Sequence, residues 1–103
     1  MTSSYVLTAT AEADLREIIR YTRRQWGDAQ ARSYVAKLQH GIEDLANGHG
    51  FFKDMTALYP SLRMARCEHH YVYLLPRDSA PALVVAILHE RMDLMTRLAD
   101  RLK

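Results

Sequence analysis

At 103 residues the chain has room for one hydrophobic core, so a single domain over residues 1–103 is expected. Apolar residues at 49% and charged residues at 25% exclude an intrinsically disordered polymer, and a formal charge of +2 falls short of the basic excess of a dedicated nucleic-acid binder. A lone cysteine, Cys67, excludes an internal disulfide and fits a reducing cytoplasm, and no apolar run approaches a membrane span or a secretory leader.

Tyr5-Val6-Leu7-Thr8 is short and β-prone and reads as a first strand. Thr10 is the expected N-cap of a first helix, with Glu12 and Asp14 placing negative charge where the helix dipole favours it. Leu15, Ile18, Ile19, Thr22 and Trp26 recur at helical spacing and predict a buried stripe, which assigns Trp26 to the core. Arg16, Arg20, Arg23 and Arg24 fall outside that stripe, on a solvated face. Gly27 ends the helix, and Asp28 is the expected cap of a second one whose stripe, Ala31, Tyr34, Val35, Leu38, Ile42 and Leu45, stops at Asn47-Gly48. Two amphipathic helices in a hairpin need a broad apolar surface to cover them, and a sheet must supply it.

His49 to Ser61 reads as a loop, with Phe51, Phe52, Leu58 and Tyr59 expected to anchor it to the core. Three strands are predicted next, about Leu62 to His69, Tyr71 to Leu75 and Ala82 to His89, the last two joined by the loop Pro76 to Pro81. The unbroken aliphatic run from Ala82 to Leu88 is the pattern of a strand buried on both faces. Asp93 can cap a short last helix with Leu94, Met95, Leu98 and Leu102 on one side and Arg97, Arg101 and Lys103 on the other. Both helical stripes and every predicted strand lie before that point, so the tail is expected to be dispensable for folding.

Three features invite chemistry. His69 and His70 stand at a strand junction where neighbours point to opposite faces, and each reads first as solvated or bonded to backbone. His89 closes the buried strand and is expected to be hydrogen-bonded at its end; with Cys67, His69 and His70 it matches no known zinc spacing, so no metal or other cofactor is expected. Arg63 and Arg66 alternate with Leu62, Met64 and Ala65, leaving apolar and basic residues on both faces, a pattern suited to a partner that is both acidic and apolar. Parity places Arg66 with Leu62 and Met64, which makes Arg66 the expected groove-facing arginine.

The segments Leu62-Arg63-Met64-Ala65-Arg66-Cys67-Glu68-His69-His70-Tyr71-Val72-Tyr73 and Leu88-His89-Glu90-Arg91-Met92-Asp93, in this setting, resemble the ParE toxins of plasmid and chromosomal toxin–antitoxin modules, within the RelE/ParE superfamily. The likeness covers nearly the whole chain. It implies an α+β fold of order β-α-α-β-β-β, an antiparallel sheet packed against a helical hairpin, with a short C-terminal helix. It implies an inhibitor of DNA gyrase rather than an enzyme, which stabilises the cleaved DNA complex and is neutralised by a ParD-like antitoxin. Toxicity would then reside in His89, Arg91, Met92, Asp93, Arg97 and Arg101, and antitoxin binding in Leu62, Arg63, Met64 and Arg66. Direct sequence-specific binding of nucleic acid is not expected of the toxin alone; a homodimer and a toxin–antitoxin hetero-oligomer are both compatible with the resemblance.

The RelE branch of the superfamily cleaves ribosome-bound messenger RNA, and that alternative has candidates here. His89 or Glu90 would serve as base, Arg63, Arg66 or Arg91 as cation, and His69, His70 or Tyr71 as acid. The family's ribonucleases typically finish the last strand with a tyrosine or a His-Tyr pair and carry a lysine- and arginine-rich RNA surface. This chain has Met92 and Asp93 there, and its lysines are Lys37, Lys53 and Lys103.

Overall fold

The computed structural model describes residues 4–90 and 94–102. Their order is β1 (Tyr5–Leu7), α1 (Ala9–Trp26), α2 (Asp28–Ala46), β2 (Lys53–Asp54), β3 (Arg63–Cys67), β4 (His70–Leu75), β5 (Ala82–His89) and α3 (Leu94–Arg101). The strands form one sheet in the order β1-β5-β4-β3-β2. β2, β3, β4 and β5 are antiparallel to their successive neighbours, but β1 runs parallel to β5, with Tyr5 opposite Ala82 and Leu7 opposite Val84. The sheet is therefore mixed, not wholly antiparallel. β5 is buried along nearly its full length and needs a neighbour on each side; β4 supplies one, and the first strand, its direction set before the helical hairpin, supplies the other.

Helix α1 starts earlier than the sequence suggested. Thr8, not Thr10, is the N-cap: it is extended (φ −68°, ψ 164°), and its Oγ1 accepts from the Ala11 amide at 3.1 Å. Gly27, at φ 91°, serves both helices, donating to the Arg23 carbonyl and accepting from the Ala31 amide, so Asp28 lies in the first turn of α2 instead of capping it. One residue thus makes the whole reversal.

Two apolar clusters sandwich the sheet. Under the hairpin, Ala11, Ile18, Leu38, Ile42 and Leu45 pack on Ala65, Cys67, Val72, Leu74, Val84 and Ile87. On the opposite face, Leu62, Tyr73, Val85, Ala86 and Leu88 pack with Leu98 of α3, which is 1% exposed. The terminal helix is therefore part of the core, contrary to the expectation that the tail is dispensable. The side chains of Leu94 and Met95, expected on the same apolar side, lie outside the described residues, as does Asp93.

The segment before β3 also departs from expectation. Lys53 and Asp54 pair with Met64 and Arg63 as a short edge strand, and Met55 is the residue that packs on the second cluster. Phe51 is fully exposed, and Phe52, Leu58 and Tyr59 are also exposed. Backbone pairing with β3 fixes this segment, so its aromatics are not needed as anchors.

Candidate functional site: the groove between α1 and the end of β5

Cross-strand register aligns Cys67, His70 and His89 in a row across β3, β4 and β5, facing the hairpin. Tyr34 of α2 reaches into that row. Its hydroxyl accepts from the His69 amide at 3.1 Å and lies 2.7 Å from His70 Nδ1. The His70 ring meets His89 edge to face, with centroids 5.1 Å apart. His70 is 9% exposed, and burial, reinforced by the neighbouring His89 and His69, pulls its pKa down to about 4. It is neutral near pH 7, which leaves a bare nitrogen to accept the Tyr34 hydroxyl proton. The expectation of a solvated or backbone-bonded His70 is corrected: the side chain is buried and bonded to another side chain. Burial likewise raises the Tyr34 phenol and the Cys67 thiol. Among the described residues, no three His, Cys, Asp or Glu side chains come together in a way that could hold a metal ion.

His69 turns the other way. Its Nδ1 lies 3.4 Å from Glu90 Oε1, while Arg66 Nη2 meets Glu90 Oε2 at 2.6 Å. Arg66 Nε also donates to the Glu68 carbonyl. Glu68 occupies a left-handed conformation (φ 57°) in the turn between β3 and β4, so the arginine braces a strained corner.

The residues proposed for the antitoxin surface separate. Arg63 and Arg66 do lie on opposite faces, as alternation requires. Arg63 is bound within the fold: Nη1 donates to the Leu45 carbonyl at the end of α2, and its guanidinium stacks 4.7 Å from the Phe52 ring centroid. Leu62 is completely buried and Met64 packs on the second cluster, so the apolar neighbours assigned to a partner belong to the protein's own core. Arg66 is exposed and borders an open groove of about 550 Å³ with Lys37 and His40.

The tail residues separate as well. Arg91, Met92 and Asp93 lie outside the described residues. Arg101, expected on the solvent side, is half-buried and donates through both terminal nitrogens to Asp14 at 2.8 and 2.9 Å. Arg97 is exposed and borders a groove of about 930 Å³ that also contains His89, His69, Tyr34, Glu17, Tyr21 and Trp26. The structure thus brings together His89 and Arg97, two sequence-selected residues, with two aromatics that sequence reasoning missed.

Trp26 is 70% exposed and Tyr21 64%. Trp26 keeps the spacing of the buried stripe but sits in the last turn of α1, past Thr22, the last residue of that helix to be buried. Its adjacency to Gly27, where the chain reverses, was the available signal. Large aromatics exposed beside an arginine have the composition of a protein-binding surface.

Residues 5–94 match the model of the ParE toxin of the type II toxin–antitoxin system parDE. The chain is 74% identical over 101 residues to the Escherichia coli protein "Toxin ParE", covering 98% of each chain. It is 32% identical to "Toxin ParE1" of Mycobacterium tuberculosis, over 90% of this chain and 95% of that one. The fold superposes on a chain of the chromosomal ParDE system of Pseudomonas aeruginosa with a TM-score of 0.68, at 18% identity, covering 86% of this chain and 96% of the other. The protein belongs to the ParE toxin family of type II toxin–antitoxin systems.

Proposed function

We propose that this toxin binds DNA gyrase, holds it in the cleaved, DNA-linked state, and is neutralised by a ParD-like antitoxin. The reading rests on family membership and on one observation, the groove that joins Arg97 and His89 to the exposed Trp26 and Tyr21. Tryptophan, tyrosine and arginine are the side chains that most often dominate binding energy at protein interfaces, each contributing about 2 kcal/mol or more when desolvated.

A binding role of this kind needs no chemistry from the toxin. Gyrase breaks the DNA, and a ligand that prefers the cleaved state shifts the population toward it. Moving an equilibrium from 1:99 to 99:1 takes a preference of about 10⁴-fold, or ~5.5 kcal/mol. A few well-desolvated anchors are enough.

The polar groups at the strand ends support a non-enzymatic reading because they are committed to one another. His70 is buried and neutral against Tyr34, and Arg66 is paired with Glu90. Arg66 keeps an exposed side beside Lys37 and His40, so an acidic segment of the antitoxin would meet it there by sharing or displacing Glu90.

Two parallel reactions test the proposal. Purified toxin is added to gyrase with supercoiled plasmid, and separately to translating ribosomes with defined messenger RNA. Linear DNA released after protein digestion, with intact message, is the expected result; message cleaved at the ribosome with no linear DNA would replace the gyrase reading with the ribonuclease one.

A further inference from the structure

β1 is too short to cover β5. Its last rung is the Thr8 amide donating to the Val84 carbonyl at 3.0 Å, and among the described residues no strand lies beside Val85 to His89 on the β1 side of β5. A register shift opposite Tyr73 and Leu74 falls at the same place and leaves Val85 as an extra residue in β5. Two side chains from different helices meet there. Asp14 of α1 accepts the Ile87 amide through Oδ2 at 3.0 Å, and Arg101 of α3 donates to the Val85 carbonyl at 3.2 Å. The two are joined by the paired contacts at 2.8 and 2.9 Å, with side chains only 15% and 20% exposed. The contact with Asp14 raises the Arg101 pKa, so the guanidinium stays charged. Four charge-assisted hydrogen bonds thus close the open edge of β5 and fasten α3 to α1.

The clasp also fixes the rotation of α3. Leu98 is held in the second cluster, and Arg101 is turned toward Asp14. Arg97 lies one turn before Arg101 on the same side of the helix, roughly 6 Å along its axis. Fastening Arg101 therefore brings Arg97 alongside α1, where it borders the groove with Asp14, Glu17, Tyr21 and Trp26.

We propose that Asp14 and Arg101 are positioning residues for the toxic surface: their clasp holds α3 docked so that Arg97 completes the groove, and the tail acts in this docked form. The inference rests on the groove being the gyrase-binding surface. Asp14 is assigned no role by the sequence beyond the helix dipole, and Arg101 changes from a target contact to a support for one.

A mutant cycle on gyrase cleavage tests it, using full-length toxin throughout. Arg97→Ala in the otherwise native protein is expected to raise the half-maximal concentration about tenfold, as is Asp14→Ala. Arg97→Ala added to Asp14→Ala should then cost less than twofold more, because an arginine no longer held in place has little left to lose. A purely structural loss from Asp14→Ala would leave the two effects multiplicative and would overturn the proposal. Amide hydrogen exchange at Ile87 must also accelerate in Asp14→Ala. Arg101→Lys, which keeps the Asp14 carboxylate on the Ile87 amide but loses the fork geometry, is the milder variant if Asp14→Ala folds poorly; it should weaken the Arg97 effect likewise. If Arg97→Ala alone leaves potency unchanged, the groove reading fails; if Arg97 matters but Asp14→Ala and Arg101→Lys leave its effect intact, only the clasp fails.

Discussion

Tyr34 on α2 and His70 on β4 are joined by a 2.7 Å hydrogen bond between the phenol and Nδ1, which ties the helical hairpin to the centre of the sheet beside the candidate groove. The bond uses the neutral imidazole, and burial holds the His70 pKa down to about 4. Between that value and the ordinary histidine value of 6.5 the unfolded chain binds a proton that the folded chain refuses. Stability is therefore complete above about pH 6.5 and declines as pH falls toward about 4, by roughly 3 kcal/mol from this residue. Urea unfolding at a series of pH values checks this; His70→Gln should flatten the slope over the window.

The crossing of α2 over β3 depends on a missing side chain. A Cβ on Gly41 would lie 2.6 Å from Cys67 Sγ. Gly41→Ala should destabilise the toxin by about 1–3 kcal/mol despite the better helix propensity of alanine. Cys67→Ala removes the obstructing sulfur and should recover most of that loss, so the double mutant should be more stable than Gly41→Ala alone in chemical denaturation.

Leu98 decides whether the tail is an appendage or part of the core. With its side chain buried among Leu62, Tyr73, Val85 and Leu88, Leu98→Ala should cost about 2–4 kcal/mol in denaturant unfolding. Truncation after Asp93 should lower the midpoint further and expose the second cluster, measurable as increased binding of a hydrophobic dye. An unchanged midpoint would restore the view that residues beyond Asp93 are separable.

The fold was legible wherever burial is periodic. Leu38, Ile42 and Leu45 at helical spacing and the aliphatic run through Val84 and Leu88 specify the hairpin and the central strand from sequence alone. What the pattern could not carry was partner choice. The spacing of Arg63, Met64 and Arg66 is that of an exposed strand, yet all three are engaged by the chain itself, Arg63 by the carbonyl end of α2, Met64 by the cluster under α3 and Arg66 by Glu90. Arg101 likewise lies on the polar side of its own helix, and only tertiary packing brings Asp14 within reach 87 positions away. Trp26 erred in the opposite direction, since a stripe gives the direction of a side chain but not where the covering surface stops.

Gyrase-mediated cleavage of supercoiled plasmid by wild-type toxin, run beside Trp26→Ala, tests the central claim most directly. Trp26 is 70% exposed, so its removal should leave the thermal midpoint within about 1 °C of wild type, whereas loss of an interface anchor costs about 2 kcal/mol or more. The account predicts dose-dependent linear DNA with the wild type, and at least a tenfold higher concentration of Trp26→Ala for the same yield. Absence of linear DNA at every wild-type concentration, or equal potency of the two proteins, would contradict it.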